Sequence, residues 1–126
     1  MTSSRKGTVM ISPVSSALSA ISAYQKRMDV TADNVANIET DRFKKSRVNM
    51  EEGENGGVKT SIQRIDTPGM TKEVMRGTSL DETESSNVDL AEELTDMMTT
   101  KAGYTANAKT LKTQNEMLGN LFDILG

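Results

Sequence analysis

The sequence has no cysteine, no histidine and no tryptophan, and only two prolines, two tyrosines and two phenylalanines among its 126 residues. Without cysteine there is neither a disulfide framework nor thiolate chemistry, which fits either an intracellular chain or one exported unfolded through a channel. Histidine is missing too, and no phosphate loop, zinc pattern or nucleophile elbow occurs, so the expectation is a non-enzyme with no cofactor, metal or small-molecule substrate. No apolar run is long enough to span a membrane, and Val9, Met10 and Ile11 stand among Gly, Thr and Ser rather than in the apolar core of a cleaved secretory signal.

Charge of one dominant sign is also absent: the net charge is −3, with both signs interspersed. A nucleic-acid partner is therefore not expected, although Arg42, Lys44, Lys45 and Arg47 form one basic cluster. That cluster reads as a solvated strand face, or as a complement to the acids between Asp81 and Asp96 of a neighbouring subunit. The adjacent acids Glu92 and Glu93 point in different directions on a helix and suit helix-dipole and solubility roles better than acid–base chemistry.

What the chain does have is two apolar stripes at helical spacing. Leu90, Leu94, Met97, Lys101, Tyr104, Ala108, Leu111, Asn115, Leu118, Phe122 and Leu125 follow one another in steps of four and three. Val14, Ala17, Ile21, Tyr24, Met28, Thr31, Val35 and Ile38 do the same near the other end. Both read as coiled-coil seams, the first interrupted by Lys101 and Asn115, which would fix register at a cost in stability. Ser12 as N-cap and Pro13 at the first helical position start the first helix, and Asn37 marks its end. The second helix is expected to start at Ser86 or Asn87, with Asp89, Glu92 and Glu93 near its positive end, and to run to about Leu125.

Between the stripes, partial two-residue alternation over Phe43–Met50 and Val58–Ile65 flanks the Glu/Gly-rich run 51–57 and predicts a small β-hairpin. Pro68-Gly69 suits the centre of a type II turn, residues 77–86 read as an acidic linker, and a third strand at Lys72–Arg76 is a guess. The expected architecture is mainly α: two long terminal helices packing as an antiparallel coiled coil, with a small central hairpin and loop region. The divisions are a flexible extension at 1–12, helices at 13–38 and 87–126 forming one core, and a hairpin and linker region at 39–86. Few apolar residues lie outside the stripes, so a wide globular core is not expected.

Ala32-Asp33-Asn34-Val35-Ala36-Asn37, followed by Thr40 and Phe43-Lys44, resembles the N-terminal signature of bacterial flagellar rod and hook proteins. Ser86-Asn87-Val88-Asp89-Leu90, then Tyr104-Thr105-Ala106-Asn107-Ala108-Lys109, Thr113 and Glu116-Met117-Leu118, is similar to the C-terminal signature of that family. Arg42 stands where the family usually has glycine. The resemblance implies a structural subunit of a tubular axial polymer, of the short, FlgC-like rod type. It implies location in the basal-body rod across the periplasm, partners among its own copies and other rod subunits, and delivery by the flagellar type III export apparatus without a cleaved signal. Its signature residues would be Asn34, Ala36, Asn37, Phe43, Asn87, Val88, Asp89 and Asn107. The alternative reading is a soluble coiled-coil adaptor, or an export-linked interaction protein, that forms a closed oligomer.

Overall fold

The computed structural model describes residues 13–126; the expected N-cap Ser12 and the extension before it lie outside the described residues. Helix α1 spans Pro13–Ala36, strands β1 and β2 span Ser46–Glu52 and Val58–Arg64, β3 and β4 span Thr71–Arg76 and Ser79–Glu84, and helix α2 spans Leu90–Leu125. The 36 residues of α2 extend over ~54 Å, against ~36 Å for the 24 of α1. Among the described residues, no helix is long and apolar enough to cross a membrane.

The helices lie antiparallel. Pro13 and Val14 stand beside Gln114, Met117, Leu118 and Leu121. Tyr24 packs on Gly103, whose added Cβ would come within 2.6 Å of a ring carbon. Arg27 reaches Asp96 at 3.6 Å, and Asn34 meets Glu93 near the other end of the pair. Glycine at position 103 weakens α2 locally, and in return the aromatic ring lies directly against its backbone.

The contact face coincides with the apolar stripe only in part. On α2 the residues turned inward are Glu93, Asp96, Met97, Thr100, Gly103, Asn107, Ala108, Leu111 and Gln114, whereas Leu90, Leu94, Tyr104 and Leu118 are nearly half exposed. Over most of its length this face runs one residue ahead of the expected seam, a rotation of ~100° about the helix axis. On α1 the shift is partial: Ala17 and Thr31 are buried as expected, together with Ala23 and Asn34. The fully buried residues of the two helices are thus small or polar, and the only hydrophobic residues buried among those described are Ala17 and Ala23.

The centre contains two antiparallel hairpins, not the one expected. β1 pairs with β2 from Ser46↔Arg64 to Glu52↔Val58, and β3 pairs with β4 from Thr71↔Glu84 to Arg76↔Ser79. The guessed third strand is real. Residues 77–86, expected as a linker, instead supply a turn begun by Gly77 at φ 66° and then β4. Gly69 does not take the positive φ of a type II turn; it is small because a Cβ there would collide with the Ser85 carbonyl. The cap of α2 is Asp89 rather than Ser86 or Asn87, accepting hydrogen bonds from the amides of Ala91 at 2.9 Å and Glu92 at 3.4 Å.

Candidate functional site

Two asparagines join the helical and strand regions. The Ser46 N–H donates to Asn34 Oδ1 at 3.0 Å, and Asn34 Nδ2 donates to the Ser46 carbonyl at 2.9 Å. Asn34, fully buried at the end of α1, thereby pairs with the first residue of β1 as a neighbouring strand would. Asn87 does the same from the approach to α2. Its Oδ1 accepts the Lys45 N–H at 2.7 Å, and its Nδ2 donates to the carbonyls of Ile65 at 2.8 Å and Thr67 at 2.9 Å. Sequence reasoning placed Asn34 and Asn87 at the ends of the helices; their part is to bind backbone far away in the chain.

Between these clamps lies a charged knot. Glu93 is fully buried and bonds Arg47 Nη1 at 2.6 Å, and its two oxygens each accept from Asn34 at 3.3 Å. Arg47 also reaches Glu92 at 2.5 Å and approaches Asp96 at 3.7 Å; Lys45 meets Glu92 at 3.2 Å. Lys44 pairs with Glu84, which also accepts the Gly69 N–H at 2.7 Å. Lys44, Lys45 and Arg47 of the basic cluster are therefore neither a solvated face nor a complement held for a neighbour, because their acidic partners lie within the chain. Glu93 likewise does more than serve the helix dipole: it anchors β1 to α2.

These contacts set the charges of the knot. The hydrogen bond from Arg47 holds Glu92 below the ordinary carboxylate range, helped by Lys45. The hydrogen bond from Lys44, then that from the Gly69 amide, lowers Glu84. Burial alone would lower the Arg47 pKa, but its bonds to Glu92 and Glu93 and their negative charge raise it. Arg47 and Glu92 thus hold each other ionised.

Of the other signature residues, Asn37 donates to the Asp33 carbonyl at 2.8 Å and accepts from Thr40 at 3.1 Å, closing α1. Arg42, at φ 61°, takes the left-handed conformation that glycine adopts at lower cost, and its N–H donates to the Glu84 carbonyl at 2.9 Å. Phe43 and Val88 are half-buried, Ala36 is exposed, and Asn107 donates to the Gly103 carbonyl at 2.9 Å within its own helix.

Of the residues read as packing seams, Val14, Ala17, Ile21, Tyr24, Met28, Val35, Met97, Ala108 and Leu111 are at least partly covered within the chain. Ile21, Tyr104, Ala108, Leu111 and Asn115, with Leu18, line an open groove along one side of the helix pair. Leu90, Leu94 and Leu118 are about half exposed, and Phe122 and Leu125 are 70% and 74% exposed at the end of α2. Lys112 and Glu116 also line the groove, so its apolar residues are interspersed with charged ones. Burial of the polar face at Thr100, Asn107 and Glu93 escaped sequence reasoning, which counts apolar residues.

Residues 15–44 match the family described as flagella basal body rod protein, and residues 82–124 match that described as flagellar basal body rod FlgEFG protein C-terminal. The chain is 39% identical over 71 residues to a flagellar hook protein FlgE of Brucella suis, covering 56% of this chain and 16% of the relative. It is 53% identical over 38 residues to the hook protein FlgE of Borreliella burgdorferi, covering 30% of this chain and 9% of that one. To the Rhizobium meliloti hook protein it is 51% identical over 41 residues, 32% of this chain and 10% of the relative. The chain thus spans 9 to 16% of the length of these curated relatives. The N-terminal match contains Asn34 and the C-terminal match contains Asn87 and Glu93, so the two matched segments, one towards each end of the chain, are tied together by the polar knot.

Proposed function

We propose that the chain is a structural subunit of the flagellar basal-body rod that polymerises through its terminal helices into a tubular axial structure. The observation that carries this reading is the rotation of the helix contact. The residues fully buried on α1 and α2 are small or polar, while the stripe through Leu90, Leu94 and Tyr104 is nearly half exposed, available to other subunits. A closed intramolecular coiled coil would have consumed that stripe. Two short hairpins in the middle favour the short, FlgC-like rod type over a hook subunit, which in the relatives is a far longer chain. Its partners are its own copies and other rod subunits, and the flagellar type III export apparatus delivers it, unfolded, to the rod across the periplasm. The coiled-coil seams form between subunits, and assembly completes their burial.

Sedimentation of the purified full chain over a range of concentrations, with hydrogen exchange on the same samples, tests this reading. An open-ended size distribution in which the end of α2 becomes protected as assemblies grow is the expected result. A closed dimer of fixed size at every concentration overturns it in favour of an adaptor.

A further inference from the structure

The geometry points to the β3–β4 hairpin as a docking arm that seats its Met75–Leu80 tip on the outer face of α2 in a second copy of this chain, between Lys101 and Lys109. This inference rests on the subunit reading above and names one contact within it.

The hairpin is held only at its base. Lys44 pairs with Glu84, Lys72 meets Asp41 at 2.5 Å, and the Arg42 N–H donates to the Glu84 carbonyl. Beyond the base, the strands β3 and β4 contact neither helix and neither strand of the other hairpin. A two-stranded hairpin without a packed face is marginally stable in water, so its own face is left to be covered. On one face Met75 lies opposite Leu80, 69% and 64% exposed, and the next pair on that face is Glu73 opposite Glu82. Like charges directly across a ladder destabilise it unless a cation is brought to them. The ion pairs of the strands go instead to Lys72, Arg76 and the base, and none reaches Glu73 or Glu82 among the described residues.

The complement lies on α2. Met98, Ala102 and Ala106 form an apolar row, with Lys101, Thr105 and Lys109 in the row beside it, and together they line one shallow depression. Met98 is 74% exposed, and neither lysine enters an ion pair among the described residues. The two lysines stand ~12 Å apart along the axis, within reach of a carboxylate pair set between them. An apolar tip followed by two acids thus matches an apolar strip flanked by two lysines. The hairpin does not touch α2 of its own chain, and the two sides of the contact are different surfaces, so it joins copies head to tail, giving a ring if the rotation closes and a filament if it does not.

The test is a charge swap followed by a cross-link. E73K/E82K and K101E/K109E, each in the full chain, should slow elongation roughly tenfold, and the fourfold variant combining them should regain the wild-type rate. Met75→Cys and Ala102→Cys subunits, mixed and mildly oxidised, should give a disulfide-linked pair of copies; the native chain has no cysteine to confuse the product. Elongation unaffected by either charge reversal, no recovery in the fourfold variant, or no cross-link within otherwise normal polymers overturns the docking arm alone. A wild-type chain that does not associate overturns the subunit reading and the arm with it.

Discussion

Asn34 and Ser46 exchange two hydrogen bonds, at 2.9 and 3.0 Å, between a buried side-chain amide and a strand backbone. One side chain near the end of the first helix thereby holds the start of a strand and contacts Glu93 of the second helix. Removing it would strand a backbone donor, a backbone acceptor and part of a buried carboxylate at once. Asn34→Ala should lower unfolding free energy by about 2–4 kcal/mol, read from the denaturant midpoint. A loss under about 0.5 kcal/mol, the range of an ordinary surface site, would mean that water replaces the amide without cost.

Arg42 carries the opposite kind of local cost. Its φ of 61° lies in the left-handed region, where a side chain with a Cβ is disfavoured by about 1–2 kcal/mol and glycine is not. Glycine also loses more chain entropy on folding, which offsets part of the gain. Arg42→Gly should therefore stabilise the chain by about 0.5–1 kcal/mol. Thermal or urea unfolding checks the sign, and a destabilised variant would show that the arginine side chain contributes more than its backbone strain costs.

Acid should loosen the knot. The folded-state pKa values of Glu84 and Glu92 are depressed by their bonds to Lys44 and Arg47. Their contribution is therefore complete above the unfolded glutamate value of about 4.3 and is lost as pH falls through the lower folded values. Urea midpoints should hold from neutral pH to about 5 and then decline. Glu92→Gln should be less stable at neutral pH and decline less steeply; the same acid slope as wild type would place the titration elsewhere.

The close of α1 and the start of α2 were legible in the sequence because they are written in local chemistry: Asn37 at the one and acids at the other. The cap of α2 was read as Ser86 or Asn87 instead of Asp89, since all three side chains can cap and only tertiary contacts commit Asn87 to Lys45, Ile65 and Thr67. Periodicity found the apolar stripe but not the face joining the helices, because Thr100, Gly103 and Asn107 pack through small size and satisfied hydrogen bonds. The second strand of the second hairpin escaped notice for a related reason. It packs on no element but β3, so Asp81 and Glu82 were free to occupy strand positions and make residues 77–86 read as a linker.

Leu94 separates the two uses of the second helix. It lies on the apolar stripe, 49% exposed, one residue from the fully buried Glu93. If the stripe is an interface between subunits, a charge at Leu94 meets water in the monomer and apolar surface in the assembly. Leu94→Asp should then change monomer stability by only about 0.5 kcal/mol, the range of an exposed site. The same change should abolish concentration-dependent association, because an unpaired carboxylate would have to be buried at the contact. Urea unfolding at low protein concentration and sedimentation at high concentration read the two effects separately. A large loss of monomer stability would make Leu94 part of an internal core, and intact association would take the stripe out of the interface.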